Sequence, residues 1–334
     1  MHWILKLILG IAVIGLVQCK ADPEVQENVV SQGEAALDKL TALIKKNPDD
    51  PTLLYERAKL AYSNENYDQV IMDLEKAIEI DSLVPEYYHL LSDASMDYYR
   101  SKDALQTMQK AGEVFPERIP TLLKLSETQL ILKQNEESLF TIARILTINP
   151  QDAEAYFMTG MNFRAMGETD RAINAFQRAT ELDPDITDAW LLIGDLFEQR
   201  GDTRALEYYD AAINSDMDNP ATWHSKAYYL QNHDRDDEAI AIYKKINTID
   251  KNYVDAYLNT GILYMTKDSI DKALEQFDIM ASVKAQDYRP YYYRGLCYEK
   301  KGNLKAARAD FQNCLNLKPD FEKATRAMHG LSAG

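Results

Sequence analysis

The sequence predicts an all-α protein built as a linear array of antiparallel helix pairs, and three observations carry that expectation. Small and aromatic residues return at a spacing of 34 along most of the chain. Within each period, apolar or small residues fall at i, i+4 and i+7 twice over, as two successive helix faces require. Glycine and proline are scarce, 13 and 11 in 334 residues, which favours long helices joined by short turns over a sheet-rich fold. With 46% apolar and 10% aromatic residues the chain can bury a large core, and its mixed charge argues against disorder.

The clearest period runs from Ala153 to Ile186. Tyr156, Gly160 and Phe163 share one helix face, and Ala172, Phe176 and Ala179 share the next. Gly160 is expected to face Ala172 and Ala179, so that two helices approach closely while Phe163 and Phe176 fill the groove beside them. Gly167 reverses the chain, and Asp183 with Pro184 ends the second helix, because proline lacks the donor and clashes with a preceding carbonyl. One such hairpin cannot bury its apolar face alone, so it needs neighbours.

In chain order, residues 1–18 read as a signal peptide: Lys6, then an apolar run from Leu7 to Val17 that is too short to span a bilayer as a helix. Residues 19–22 form a short tether, and 23–50 a capping half-repeat that starts at Asp22 and Pro23 and carries Ala36, Leu40 and Leu43. Full repeats are expected at 51–84, 85–118, 119–152, 153–186, 187–219, 220–253, 254–287 and 288–321. The 33-residue fifth repeat is shortened in the turn between its helices, where a deletion costs least. Residues 322–334 complete the array as a capping helix and tail.

The spacing resembles the tetratricopeptide repeat, whose pattern of an aromatic, Leu-Gly, Tyr, Ala, Phe and Pro recurs over 34 residues. That resemblance implies a right-handed superhelical solenoid, with first helices lining a concave groove and second helices facing outward. In the family the second, fifth, ninth and twelfth positions of each first helix face the groove. The candidate binding residues are thus Tyr55, His89, Leu123, Phe157, His224, Leu258 and Tyr292 at fifth positions; Met161, Tyr228 and Ile262 at ninth positions; and Tyr62, Met96 and Met265 at twelfth positions. Asp93, Glu127, Asp195 and Glu198 tune the charge of the same stripe. Exposed aromatics and methionines in a concavity favour a protein or peptide partner. The Lys and Asn clamp of chaperone-tail binders is absent, as is the asparagine ladder of glycosyltransferase-associated arrays.

Cys19, directly after Leu16, Val17 and Gln18, resembles the lipobox cysteine of bacterial lipoproteins, with Gln18 in place of the usual small residue. The resemblance implies acylation of Cys19 and stable anchoring by several chains. Lys20 is not the Asp that commonly retains lipoproteins in the inner membrane, so a Gram-negative outer membrane is expected, on its periplasmic side or at the cell surface. Cys297 and Cys314 read as buried reduced thiols, and a disulfide between them stays open.

No catalytic constellation is present. The five histidines are scattered, without a His-Glu-x-x-His pair, a Gly-rich phosphate loop or a nucleophile elbow, and neither metal nor cofactor is expected. The formal charge of −16 argues against nucleic acid as a partner. The last repeat is locally basic, which reads as a solvated end or as a dock for an acidic partner. The sequence therefore predicts a non-catalytic adaptor or scaffold that holds a peptide or helix in an envelope assembly. The alternative is a subunit of a glycan-handling complex whose Tyr and Trp side chains stack on sugars.

Overall fold

The structure is a computed structural model that describes residues 23–331, with side chains from 35 onward. The signal peptide, Cys19 and the tether lie outside the described residues. Among the described residues there are eighteen α-helices and no strand. They form two compact units, divided between Leu132 and Lys133.

The first unit contains α1 (Pro23–Lys46), α2 (Pro51–Ser63), α3 (Tyr67–Ile80), α4 (Pro85–Asp97), α5 (Ser101–Val114) and α6 (Ile119–Ile131). The second contains α7 (Asn135–Ile148), α8 (Ala153–Ala165), α9 (Thr169–Leu182), α10 (Thr187–Gln199), α11 (Ala205–Ser215), α12 (Pro220–Asn232), α13 (Asp236–Ile249), α14 (Val254–Thr266), α15 (Ile270–Val283), α16 (Arg289–Lys300), α17 (Leu304–Leu317) and α18 (Glu322–Gly330). In each unit a helix packs on its successor and first helices also meet the next first helix, as α2 with α4 and α14 with α16. The unit boundary falls between α6 and α7, which the 34-residue register assigns to one repeat. The expected stripe is accordingly divided into one part per unit.

Helix starts follow local chemistry. The Asp50 carboxylate accepts from the Thr52 and Leu53 amides ahead of Pro51, and Asp152 accepts from Ala155 at 2.9 Å. These side chains satisfy amides that have no partner inside the helix. Each first helix ends in a tight turn with one residue in the left-handed region: Glu65, Tyr99, Lys133, Gly167, Gly201, Asp234, Asp268 and Gly302. The next amide then bonds back to the helix, as Glu168 N–H to the Phe163 carbonyl at 2.8 Å. Only three of the eight are glycine, so the other five pay a steric cost.

The fifth repeat absorbs its missing residue differently from the expectation. Its second helix, α11, has 11 residues where α9 has 14, so the deletion takes the first helical turn as well as the loop. Asp202 replaces that turn, accepting from the Arg204 amide at 3.0 Å and pairing with its guanidinium at 2.6 Å.

The close approach of the helices is tightest against an aromatic ring. The nearest neighbour of Gly160 across the hairpin is the ring of Phe176: a Cβ on Gly160 would sit 2.5 Å from it. Gly194 stands the same way against Tyr209, Gly261 against Phe277 and Gly295 against Phe311, at 2.4–2.6 Å. These four rings are buried to 0 or 1% exposure, so they have no room to withdraw. Where the first-helix residue is Ala58, Ser92 or Ser126, the corresponding second-helix residue is the non-aromatic Leu74, Met108 or Ile142.

Two buried ion pairs occupy equivalent positions in the first and last full repeats. Arg57 grips Asp73 through two bonds of 2.8 and 2.6 Å and reaches Thr41 of α1 at 3.1 Å. Arg294 grips Asp310 at 2.7 and 2.6 Å and reaches Asp278 at 2.7 Å. The Asp73 and Asp310 side chains are 2% and 5% exposed, and the forked geometry satisfies both oxygens of each.

Gly160→Ala should destabilise the protein by about 1–3 kcal/mol, the usual cost of overpacking. Adding Phe176→Leu should cost less than the sum of the two single changes, and chemical denaturation of the four proteins reads this out. Arg294→Ala, which strands a buried carboxylate, should cost about 3–5 kcal/mol, measured by the same method.

Candidate partner-binding surface

The stripe in the second unit comes from α8, α10, α12, α14 and α16. Three of its expected members are core residues. Phe157, Met161 and Leu258 are 4, 3 and 9% exposed. Phe157 lies 5.6 Å from the Phe176 ring, beside the very contact that seats Gly160. An apolar side chain at these positions is drawn under the neighbouring helices, so the three expectations are corrected from binding to packing. Tyr228 is 49% exposed, and Ile262 and Met265 are half-buried. His224 stacks on Tyr228 with 11° between planes and is flanked by the rings of Tyr243 and Tyr253, both at 5.7 Å. Its Nε2 meets the Asn259 amide nitrogen at 3.3 Å, and burial pushes its pKa down. Tyr292 contacts Phe311 and Phe321, so it serves the terminal cap as much as any partner.

Between α10 and α11 a polar arrangement arises that sequence spacing only half disclosed. Asp195 and Glu198 stand one turn apart, and the Tyr209 hydroxyl lies 2.9 Å from Asp195 Oδ1 and 2.7 Å from Glu198 Oε2. One hydroxyl proton serves one carboxylate at a time. Burial raises the Asp195 pKa, the Tyr209 bond and the nearby Arg164 charge opposing it. The acids were legible as an i, i+3 pair; the tyrosine reads as a core ring, since Phe occupies its place in other repeats.

The stripe in the first unit comes from α2, α4 and α6. Tyr55 lies 5.1 Å from Tyr87, with the Lys59 ammonium 4.9 Å from its ring. Tyr62 donates to Asp97 Oδ2 at 2.5 Å, while Met96 and Leu123 are half-buried. His89 Nε2 lies 3.1 Å from Thr121 Oγ1, and burial first, then the Lys124 and Arg118 cations, push its pKa down to about 4. Lys124 pairs with Asp93 at 2.6 Å, and burial raises both Asp93 and Glu127. Thr121, Lys124 and Arg118 escaped the sequence reading because they lie outside the assigned positions.

At the basic end several cations are engaged by acids of the preceding repeat or of their own turn. Arg289 pairs with Asp287 and Asp255, Lys300 with Asp268, and Lys301 with Asp271. Cys297 and Cys314 are buried, free thiols that burial pushes up to about 11. No group of three or more His, Cys, Asp or Glu among the described residues could hold a metal ion, and no described helix is long and apolar enough to cross a membrane.

His89 has a folded pKa below its unfolded value near 6.5, so its contribution to stability is present above that value and is lost as pH falls towards 4. The loss should approach about 1–3 kcal/mol, and His89→Gln should flatten it. Asp93 and Glu127, with raised pKa values, act in the opposite sense. Unfolding midpoints of the two proteins between pH 7 and 4, a range that spans roughly the ordinary histidine and carboxylate values, test the difference.

Comparison with known proteins agrees with this architecture. Family models described as tetratricopeptide repeat match residues 31–82, 157–221 and 260–332, together more than half of the chain. The chain is 32% identical over 127 residues to the DnaJ homolog subfamily C member 7 homolog of Schizosaccharomyces pombe, covering 33% of this chain and 27% of that protein. It is 23% identical over 244 residues to the protein CTR9 homolog of Arabidopsis thaliana, covering 68% and 22%. The aligned region thus spans under a third of the length of either relative. A tetratricopeptide repeat protein from Parabacteroides merdae is similar in structure, with a TM-score of 0.47, 16% identity and coverage of 75% of this chain and 99% of that one. YrrB, a repeat protein with an unusual peptide-binding site, gives a TM-score of 0.46, 20% identity and coverage of 56% and 96%. The repeats are in general non-catalytic modules for protein interaction, and this chain belongs to the tetratricopeptide repeat family.

Proposed function

We propose that the protein is a non-catalytic adaptor that captures a peptide or helix of a partner protein along the first-helix stripe of its second unit. The observation that carries the proposal is the set of Tyr228, Ile262 and Met265 on two successive first helices, which remain at least partly exposed while their neighbour Leu258 is drawn inward. Methionine and tyrosine make such a surface adaptable, because one is flexible and polarisable and the other presents a flat apolar ring with a polar tip. Asp195 and Glu198, adjacent on α10, favour a partner segment that brings positive charge.

The same proposal places the protein on a bacterial outer membrane through acylated Cys19, within a secretion, membrane-assembly or cell-wall complex, facing either the periplasm or the cell exterior. The support is the apolar run from Leu7 to Val17 followed by Cys19 and Lys20. The glycan-handling alternative gains nothing from the tryptophans. Trp190 and Trp223 spend their single donors on the Pro184 and Met217 carbonyls, at 3.0 and 2.9 Å, and both rings are partly buried.

Crosslinking in intact cells followed by purification of the full chain tests capture. Replacing Tyr228, Ile262 and Met265 together with Ser should abolish recovery of a crosslinked partner while leaving the helical circular dichroism intact; unchanged recovery would remove the stripe from the proposal. Separately, Cys19→Ser should release the protein into the soluble fraction, and fatty-acid labelling that persists in this variant would refute acylation at Cys19.

A further inference from the structure

Two equivalent places in the array are finished differently. In the fifth repeat, Trp190 of α10 donates its indole N–H to the Pro184 carbonyl at 3.0 Å, and the Tyr208 ring of α11 stacks beside it at 6.3 Å. Tyr208 also lies flat on Phe197, 5.0 Å away with 7° between planes. The Gln177 amide of α9 donates to the Tyr208 hydroxyl at 2.8 Å. One ring thus bridges two successive second helices and the first helix between them.

The second repeat builds the same frame without that ring. Tyr88 of α4 stands in the place of Trp190 and donates to the Ser82 carbonyl at 3.2 Å, likewise six residues back. Glu75 of α3 stands in the place of Gln177, but Thr107 of α5 replaces Tyr208 and Ser95 replaces Phe197. Here a cleft of about 330 Å³ lies open, lined by the buried Ile78, Tyr88 and Leu91 and by the more exposed Glu75, Thr107 and Lys110. A closed apolar cavity of roughly 150 Å³ already holds benzene, so the volume admits a phenol ring. Glu75, Glu79 and Lys110 all line the cleft, and none has an ion-pair partner among the described residues. The Glu75 carboxylate is therefore free to accept a hydrogen bond from an occupant.

We propose that this cleft takes the side chain of a tyrosine from a segment of a partner protein. Its ring supplies the volume that Thr107 leaves out, and its hydroxyl donates to Glu75. The bond runs opposite to the one in the fifth repeat, because a carboxylate only accepts where the Gln177 amide donates. The cleft belongs to the first unit, and the proposal does not rest on the stripe of the second.

The probe is a glycine-serine peptide carrying a single tyrosine, observed by saturation-transfer NMR in the presence of the full chain. Saturation should reach the tyrosine ring protons, and affinity should weaken severalfold when the peptide carries phenylalanine or when the protein carries Glu75→Leu. Thr107→Tyr should fill the cleft from within, raising the thermal midpoint and weakening peptide binding at least tenfold. The Tyr228, Ile262 and Met265 triple variant should bind the peptide as the parent does. Undiminished binding in Thr107→Tyr would overturn the proposal, as would a lowered midpoint in that variant, since the ring would then find no room. Equal binding of a leucine-bearing peptide would overturn it as well. Tighter binding of free tyrosine than of the peptide, through its own charges on Glu79 and Lys110, would overturn a protein segment as the occupant.

Discussion

The array depends on one contact repeated along the chain: the missing side chain of a first-helix glycine against the face of a second-helix ring. Each ring at positions 176, 209, 277 and 311 is buried because the opposite helix yields it the space of a Cβ. Packing at interior density leaves no slack for that atom. The exchange of Gly with aromatic for Ala or Ser with Leu, Met or Ile shows size conserved across a pair while each residue varies. Tyr243 beside Ala227 is the exception, and its hydroxyl is tied to Gln231 at 3.1 Å.

Much of this was legible in the sequence, because helical periodicity and the spacing of Gly, Ala and Phe are properties of single elements and their immediate partners. The all-helical class and the helix pairs follow from those alone. That the Phe176 ring is the nearest neighbour of Gly160 was not legible, because the pattern shows which residues share a face but not how far a ring leans across it. Phe157, Met161 and Leu258 were misread for a related reason. A position rule assigns a direction to the Cβ, whereas burial depends on side-chain length and on the neighbouring helix that can cover it. Exposed Tyr228 and buried Met161 occupy the same repeat position and have opposite fates.

The polar chemistry was less legible because it is assembled between helices. Asp195 and Glu198 announce themselves as neighbours, yet their shared donor comes from α11. His89 acquires its low pKa from burial and from cations on and beside α6. The ion pairs Arg57 with Asp73 and Arg294 with Asp310 are each separated by sixteen residues, a spacing that carries no signal until the hairpin closes.

Those two pairs bear on how such an array comes apart. A chain of modules that touch only adjacent modules has its weakest points at its termini, where one side lacks a neighbour. Here the first and last full repeats each carry an arginine that joins its own two helices and also reaches the module before it. Peeling α1 from the first full repeat breaks the Arg57–Thr41 bond, and peeling the last full repeat from its predecessor breaks the Arg294–Asp278 bond. Unravelling from the ends is therefore opposed at the places where a linear polymer of repeats is ordinarily most vulnerable to proteolysis.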